Sequence, residues 1–253
     1  MNTLPVRQPY QGVLQILDFN WRFYAITAAC AIAALCAAPF LQPIPRAAVL
    51  LGTVPALFWL ATSLLVSHYI YDCSALYDLN WITRTLAQPP ARWINIHCGL
   101  DETSALLEEI FPDVAREIVD IFNPHVMTEA SIHRAQQATG TTRPATRAPH
   151  DALPFRSGIF DAAFCIFAAH ELRSHPQRIA LFREVARILA PESTFILIEH
   201  SRDWRNFLAF GPGFLHFFSP REWRRSAAEA GFTVQREFLR TAFVRVYLLR
   251  RTI

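Results

Sequence analysis

Two long stretches near the start of the chain carry almost no charged residues. Residues 23–41 contain none, and residues 47–71 contain none unless His68 is protonated. Each stretch reaches the roughly 20 residues that an α-helix needs to cross the hydrocarbon core of a bilayer. With the short turn around Arg46 between them, they predict a transmembrane hairpin at residues 21–71.

The flanks of this hairpin leave two other interpretations open. A cleaved signal peptide would normally have a basic start, whereas Asp18 and Arg22 stand here and a second apolar stretch follows directly. Buried helices of a soluble protein are the other alternative. Residues 1–20 mix polar and apolar positions, which favours an interfacial segment.

Arginine placement favours one orientation of the hairpin. Arginines on the two outer flanks outnumber the one in the loop, Arg46: they are Arg7, Arg22, Arg84 and Arg92. Because positive residues collect on the cytoplasmic side, we expect the bacterial inner (cytoplasmic) membrane as the location, with the remaining chain facing the cytoplasm.

The pattern changes after residue 71. Residues 72–90 have helical spacing and end at Pro89 and Pro90, so they predict a linker helix. Residues 91–253 then alternate short apolar stretches with amphipathic ones, which is typical of an α/β domain. Predicted strands lie at 93–97, 117–122, 146–148, 160–169, 195–198, 233–238 and 243–249, and predicted helices include 105–110, 126–137 and 219–230.

Composition narrows the function classes. The chain is 52% hydrophobic, and its mean hydropathy of +0.19 is high for a purely soluble enzyme. All 24 basic residues are arginine and the net charge is only +3, without a basic cluster, so we predict no nucleic-acid partner. Five cysteines, an odd number without paired spacing, argue against a disulfide scaffold.

Three separated pieces of the second half carry a resemblance. The order LPF, then FDAAFCIFAAHEL, then REVARILAPESTFILIEH resembles the central half of class I methyltransferases that use S-adenosyl-L-methionine, especially those acting on quinones and lipid-like acceptors. The resemblance covers about the last two thirds of the chain. It implies a Rossmann-like sheet of seven strands with the seventh antiparallel, preceded here by two transmembrane helices.

The same resemblance directs attention to the loop after strand one. The family usually has an acidic residue followed by G-x-G-x-G, where this chain has Asn95, His97, Gly99 and Asp101, with Cys98 between them. Only Gly99 survives from that pattern. Either these residues hold S-adenosyl-L-methionine with a weaker set of contacts, or the loop is degenerate and no longer binds the cofactor. His97 and Cys98 lack distant partners, so we predict no metal site.

Further cofactor contacts are implied at the ends of the next strands. Asp120 stands where the family's acid takes the ribose hydroxyls, which places Ile121 and Phe122 beside the adenine. Asp151, followed by Ala152, precedes LPF, where an acceptor for the adenine amino group is usual. A solvated strand-end acid and a turn residue are the alternative roles of the two aspartates.

His170 and Glu171 follow strand four, where the resemblance places the donor methyl group. A histidine takes a proton near neutral pH and an adjacent acid can tune it, so this pair is the candidate catalytic base. A capping pair that only shapes the pocket is the alternative. Glu199 and His200 after strand five invite the same two interpretations.

An aromatic-rich stretch between strand five and the last helix is predicted as a loop over the acceptor site. Phe210 and Phe214 would line this site, with Arg205 and His216 as polar contacts. Ordinary core packing is the alternative. We therefore predict a membrane-anchored methyltransferase for a hydrophobic, lipid-like, aromatic or polyene acceptor, and as its rival a non-catalytic scaffold that has lost the cofactor. A nicotinamide-dependent reductase fits poorly, because the loop lacks glycines and the chain lacks lysine. Protein partners and oligomeric state are not predicted.

Overall fold

The computed structural model describes residues 8–86, 88–139 and 144–252. The chain forms two compact units. Of the described residues, the helical unit contains those up to Ser74 and also Asp203–Phe214, and the sheet unit contains those of Ala75–Arg202 and those from Leu215 onward. The first seven residues of the predicted interfacial segment lie outside the described part.

The elements follow one another in this order. The helices are α1 (Gln11–Ala37), α2 (Pro43–His68), α3 (Ser104–Ile110), α4 (Ala130–Thr139), α5 (His175–Ile188), α6 (Trp204–Phe210) and α7 (Pro220–Glu229). The strands are β1 (Arg92–His97), β2 (Ala115–Asp120), β3 (Thr146–Arg147), β4 (Phe160–Ile166), β5 (Leu189–His200), β6 (Phe232–Leu239) and β7 (Val244–Arg251).

The helices α1 and α2 form an antiparallel hairpin. Polar contacts join them at the open end and along their length: the Asp72 carboxylate accepts from the N–H groups of Gly12 and Val13, at 2.6 and 3.1 Å, and the hydroxyls of Tyr24 and Ser63 lie 3.2 Å apart. An acid at the start of α1 satisfies amide groups that a helix leaves unpaired. The two helical segments of the hairpin are therefore held together by hydrogen bonds between their own residues.

Most apolar side chains of this hairpin are exposed. Among them are Ile26, Ile32, Leu51, Val54 and Leu65. By length and composition, Gln11–Phe40 and Pro43–Cys73 are each able to cross a membrane. Helix α1 is kinked at Asn20 (φ −121°), so the predicted boundary at residue 20 coincides with a break in its helical backbone.

The predicted linker helix at 72–90 is wrong. A π-helical turn ends at Cys73, Ser74 is extended, and a short 3₁₀ turn covers Asn80–Arg84. The Asp78 carboxylate accepts from both the backbone and the side-chain amide of Asn80, a local turn that competes with helix formation.

The predicted loop after β5 is also wrong, because it contains α6, which belongs to the helical unit. Asp203 caps this helix by accepting from the N–H of Asn206 at 3.0 Å. The Thr62 hydroxyl of α2 donates to the Ala209 carbonyl at 2.9 Å, and the rings of Trp59 and Phe207 pack 5.3 Å apart.

In the sheet unit the strands lie in the order β3-β2-β1-β4-β5-β7-β6. The first five are parallel, and β7 runs antiparallel to both of its neighbours. This confirms the seven-stranded mixed sheet with an antiparallel seventh strand. Because the carboxyl ends of parallel strands meet at one edge, the loops after β1, β2, β4 and β5 share that edge.

Two boundaries differ from the sequence prediction near that edge. Strand β2 ends at Asp120, so Ile121 and Phe122 belong to the following loop. Helix α4 begins at Ala130, because the Asn123 carbonyl accepts from the amides of Val126 and Met127 and closes a turn there first.

Asp161 at the start of β4 holds the backbone where the chain enters β1. Its Oδ2 accepts from the N–H groups of Ala91 and Arg92, both at 2.9 Å. Removing a charged acceptor from two amides is expected to cost about 1–3 kcal/mol of unfolding free energy in Asp161→Ala. Urea unfolding in detergent measures this. Glu109→Ala, on an exposed face of α3, is the control, and equal losses in both variants would contradict the assignment.

Candidate cofactor site at the carboxyl edge of the sheet

The loop after β1 is organised by two of the predicted residues. Asp101 Oδ1 accepts from the N–H groups of Thr103 and Ser104, at 3.2 and 2.9 Å, and so holds the start of α3. The Asn95 amide donates to the hydroxyls of the same two residues, at 3.1 and 2.8 Å. Side chains rather than glycines therefore fix the shape of this loop.

Several buried polar atoms in the second half of β1 and in the loop after it have no hydrogen-bond partner within the described part of the chain. They are Asn95 Oδ1, Asp101 Oδ2 and both ring nitrogens of His97. A buried polar atom without a partner is costly, so such a group of atoms is typical of a ligand site. Two acceptor oxygens suit the ammonium group of an amino acid, which is how S-adenosyl-L-methionine ends.

Asp120 ties the end of β2 to this loop. Its Oδ1 accepts from the N–H groups of Gly99 and Phe122, at 2.8 and 2.9 Å, and lies 3.9 Å from His97 Nδ1. The carboxylate is buried. With Oδ1 engaged by the loop, the predicted contact with a ribose hydroxyl would fall to Oδ2.

The space around Gly99 is narrow. This residue has φ +82°, and a Cβ built on it would lie 2.9 Å from Cγ of Gln136 and 3.4 Å from Cγ of Phe122. The imidazole of His97, at the predicted position of the family's first glycine, is also buried. Side chains of neighbouring elements thus fill the space beside the loop, which favours the degenerate alternative, whereas the unpartnered polar atoms favour a ligand.

Two glycine-to-alanine substitutions distinguish the cost of backbone strain from the cost of crowding by Gln136. Gly158 also has a positive φ, +71°, but a Cβ there would meet nothing within 4 Å. We expect Gly158→Ala to lose about 1–2 kcal/mol of unfolding free energy through strain alone, and Gly99→Ala to lose about 1–3 kcal/mol more through the clash with Gln136. Thermal unfolding of both variants measures the difference. Equal losses of stability in the two variants would show that the Gln136 side chain moves away from the added Cβ without cost.

The remaining predicted cofactor residues are spread along the same edge. Ile121 is fully buried, and the Phe122 ring packs edge-on against His133 of α4 at 5.4 Å. Asp151 and Ala152 are exposed. Cys98 is buried and donates to the Ala168 carbonyl at 3.7 Å; burial and then the Glu171 charge raise the pKa of its thiol. Sequence reasoning missed Gln136 and His133, because the polar face of α4 looks like an ordinary solvated face.

The turn after β4 carries the second group of predicted residues. Phe167 (φ +53°) is in the left-handed region and turns the chain into the 3₁₀ segment Ala169–Glu171. His170 Nδ1 lies 2.7 Å from Oε2 of the fully buried Glu199 on β5, and the His170 amide donates to Oε1 at 3.2 Å. A strained residue and a bidentate carboxylate thus fix the His170 ring.

His216 joins this group from a distant part of the sequence. Its ring centroid lies 5.1 Å from that of His170. Glu171 Oε1 lies 3.4 Å from His170 Nε2 and 4.0 Å from His216 Nε2. Arg173 donates to the backbone carbonyls of both histidines, at 3.0 and 2.6 Å, which holds the two segments together.

The two histidines differ in protonation. Burial alone would lower the pKa of His170, but the Glu199 and Glu171 carboxylates outweigh burial and raise it to about 10. Burial, followed by the His170 charge, lowers the pKa of His216 to about 3. Burial opposes ionisation of Glu171, yet His170, His216 and Arg173 lower its pKa. The carboxylates on both sides of His170 therefore favour its protonated form, and its role as the catalytic base stays a prediction.

The predicted acceptor residues fall in different units. Arg205, Phe210 and Phe214 belong to the helical unit, and His216 belongs to the sheet unit. Their joint role at an acceptor site stays a prediction.

Comparison with known proteins assigns the chain to a family. A family described as a methyltransferase domain matches residues 67–237, more than half of the sequence. The chain belongs to the methyltransferase domain family. No curated protein matches it significantly.

Solved methyltransferase structures share the fold of the sheet unit. A SAM-dependent methyltransferase from Aquifex aeolicus is 16% identical with a TM-score of 0.53, over 70% of this chain and 93% of that one. The geranyl diphosphate C-methyltransferase from Streptomyces coelicolor A3(2), solved with Mg²⁺, geranyl diphosphate and S-adenosyl-L-homocysteine, is 13% identical with a TM-score of 0.50, over 75% and 83%. The family and these neighbours support S-adenosyl-L-methionine as the cofactor.

Proposed function

We propose that the protein is a membrane-anchored, S-adenosyl-L-methionine-dependent methyltransferase that acts on a hydrophobic acceptor. The observation that carries the donor half is the set of buried, unpartnered polar atoms after β1, next to Asp120 at the end of β2. The acceptor half rests on the exposed apolar hairpin in the same chain.

On the donor side each residue has a definite task. Asn95 Oδ1 and Asp101 Oδ2 would accept from the ammonium group, Asp120 would take the ribose hydroxyls, and Ile121 with Phe122 would flank the adenine. The cofactor supplies an electrophilic methyl group when it is bound. The chain would contribute mainly position and exclusion of water, which can supply much of the rate of methyl transfer.

The hairpin defines the class of acceptor. Its exposed side chains are those that partition into hydrocarbon, which supports a location at the inner membrane, with the catalytic domain facing the cytoplasm. A lipid-like, aromatic or polyene acceptor would be concentrated in that membrane.

The second candidate function is a scaffold that keeps the methyltransferase fold without binding the cofactor. Its support is the buried His97 in place of a glycine and the close approach of Gln136 to Gly99. It keeps the same membrane location, so only cofactor binding and methyl transfer distinguish the two candidates.

One experiment decides between them. The full chain in detergent is titrated with S-adenosyl-L-homocysteine by calorimetry and then incubated with methyl-labelled cofactor and total membrane lipid. We expect saturable binding and label in the organic phase. Absence of binding at millimolar ligand would leave the scaffold, and label confined to the aqueous phase would contradict a hydrophobic acceptor.

Membrane attachment is tested separately. We expect the full chain to remain in the membrane pellet after washing with alkaline carbonate, because two apolar helices insert as a pair. A variant with Leu51 and Leu65 both changed to Arg places charges on the exposed face of α2 and is expected to shift the protein toward the soluble or aggregated fraction. Release of the unaltered protein by the wash would contradict the anchor.

A further inference from the structure

We propose that His170, Glu171 and His216 form a binding site for a divalent transition-metal ion of the Zn²⁺ class. Each of the three residues offers one ligand atom, and the three atoms lie within 4.8 Å of one another. All three belong to the sheet unit. This inference goes beyond the proposed methyl transfer and does not depend on it.

The distances are those of a site that closes with a small side-chain adjustment. Metal–ligand bonds of about 2.0–2.1 Å at a tetrahedral centre place neighbouring ligand atoms about 3.3 Å apart. The observed 3.4 Å between His170 Nε2 and Glu171 Oε1 is close to that separation, and the 4.0 Å from Glu171 Oε1 to His216 Nε2 needs less than 1 Å of closure. Since all three ligand atoms lie within 4.8 Å of one another, the two histidines need at most about 1.5 Å of closure.

The residue behind His170 supports the same interpretation. A metal-binding histidine normally donates its second ring N–H to a carboxylate, which fixes the tautomer and orients the ring. Glu199 stands 2.7 Å from His170 Nδ1 in that position and is 1% exposed. Nε2, the nitrogen that faces Glu171, is therefore the one that would exchange its proton for an ion.

A second observation points to an absent ligand. Glu171 is 5% exposed, and its Oε2 has no hydrogen-bond partner within the described ranges. A buried carboxylate oxygen without a partner is costly, and an ion beside Oε1 would also compensate the charge of Oε2. Arg173, whose Nη1 donates to the His170 and His216 carbonyls, opposes a cation by its charge, and the Glu171 and Glu199 carboxylates offset that charge.

Two imidazoles and one carboxylate favour Zn²⁺ or a similar first-row ion over Mg²⁺ and Ca²⁺, which prefer oxygen ligands. Three protein ligands leave one tetrahedral position for water or for an oxygen atom of a substrate, as at catalytic rather than structural zinc sites. Beside the carboxyl edge of the sheet, an ion there would polarise a hydroxyl or carbonyl oxygen of the acceptor.

The test uses the full chain in detergent after removal of metal with a chelator. We expect one equivalent of Zn²⁺ to bind by calorimetry, and Co²⁺ in its place to give visible ligand-field absorption typical of a low-coordinate site. His216→Gln and Glu171→Gln should each weaken Zn²⁺ binding at least tenfold, and Glu199→Gln by about 10–100-fold through loss of ring orientation. His125→Gln, an exposed histidine of the same unit, is the matched control.

Two outcomes would overturn the site: no Zn²⁺ binding to the unaltered protein, or binding that His216→Gln and His125→Gln weaken equally. Because Glu171→Gln changes a buried group, its melting temperature is measured in parallel. Because the His216 side chain is partly exposed, we expect His216→Gln to fold. This variant alone tests the site if Glu171→Gln fails to fold. Titration with S-adenosyl-L-homocysteine on the same samples keeps failure of the metal site distinct from failure of the methyltransferase proposal.

Discussion

Asp120→Asn is expected to weaken binding of S-adenosyl-L-homocysteine by about 10–100-fold with little effect on thermal stability. The asparagine oxygen keeps an acceptor for the Gly99 and Phe122 amides, so the loop after β1 stays in place. The negative charge and one acceptor for the ribose hydroxyls are lost, and a hydrogen bond to a charged group contributes about 1.5–3 kcal/mol.

Calorimetric titration of both proteins measures this prediction. Glu117→Gln on the same strand, whose carboxylate faces Arg92 at 3.8 Å, is the control and should bind like the unaltered protein. Asp120→Ala removes the acceptor as well, so we expect it to lose stability in addition to affinity. Equal affinity of Asp120→Asn and the unaltered protein would exclude Asp120 from the cofactor site.

The largest loss of stability is expected from Glu222→Ala. Arg178 of α5 is 2% exposed and forms a salt bridge with Glu222 of α7. Removing one partner of a buried pair leaves an uncompensated charge, which costs about 3–5 kcal/mol. Arg178 also donates to the carbonyls of Leu172 and Arg173, so the same change should loosen the turn that carries His170.

Urea unfolding measures the loss, and two further variants check its cause. Glu108→Ala breaks a more exposed pair with Arg116 and should cost only about 0–1 kcal/mol. The double variant Arg178→Met, Glu222→Ala removes both charges and should recover much of the stability, because a long apolar side chain can pack on Phe218 and Trp223. A double variant less stable than Glu222→Ala would show that the bonds from Arg178 to the carbonyls dominate.

The central sheet was predictable from the sequence because its strands are buried on both faces. Uninterrupted apolar stretches at Phe160 and Phe195, separated by an amphipathic helix, leave little choice but a parallel pair. Strand ends were less certain, since Ile121 and Phe122 are apolar whether they lie in β2 or in the loop after it.

The aromatic stretch after β5 was misjudged for a different reason. Its phenylalanines and glycines were interpreted as a loop, but the cap at Asp203 starts α6, and the apolar side chains pack on α2. The association of His216 with His170 and Glu171 carries no sequence signal either. The position of His216 depends on the path of the chain between α6 and α7. That path is set by tertiary packing and cannot be derived from the spacing of residues in the sequence.

The return of Asp203–Phe214 to the helical unit has a consequence for biosynthesis. Helices α1 and α2 leave the ribosome first, but their third helix follows only after β1 to β5 have been translated. The surface around Trp59, on which α6 packs, is therefore exposed until α6 has been translated. A fragment that begins at Ala75 would carry the opposite defect, because the apolar face of α6 would have no receptor, and such a fragment should aggregate when expressed alone.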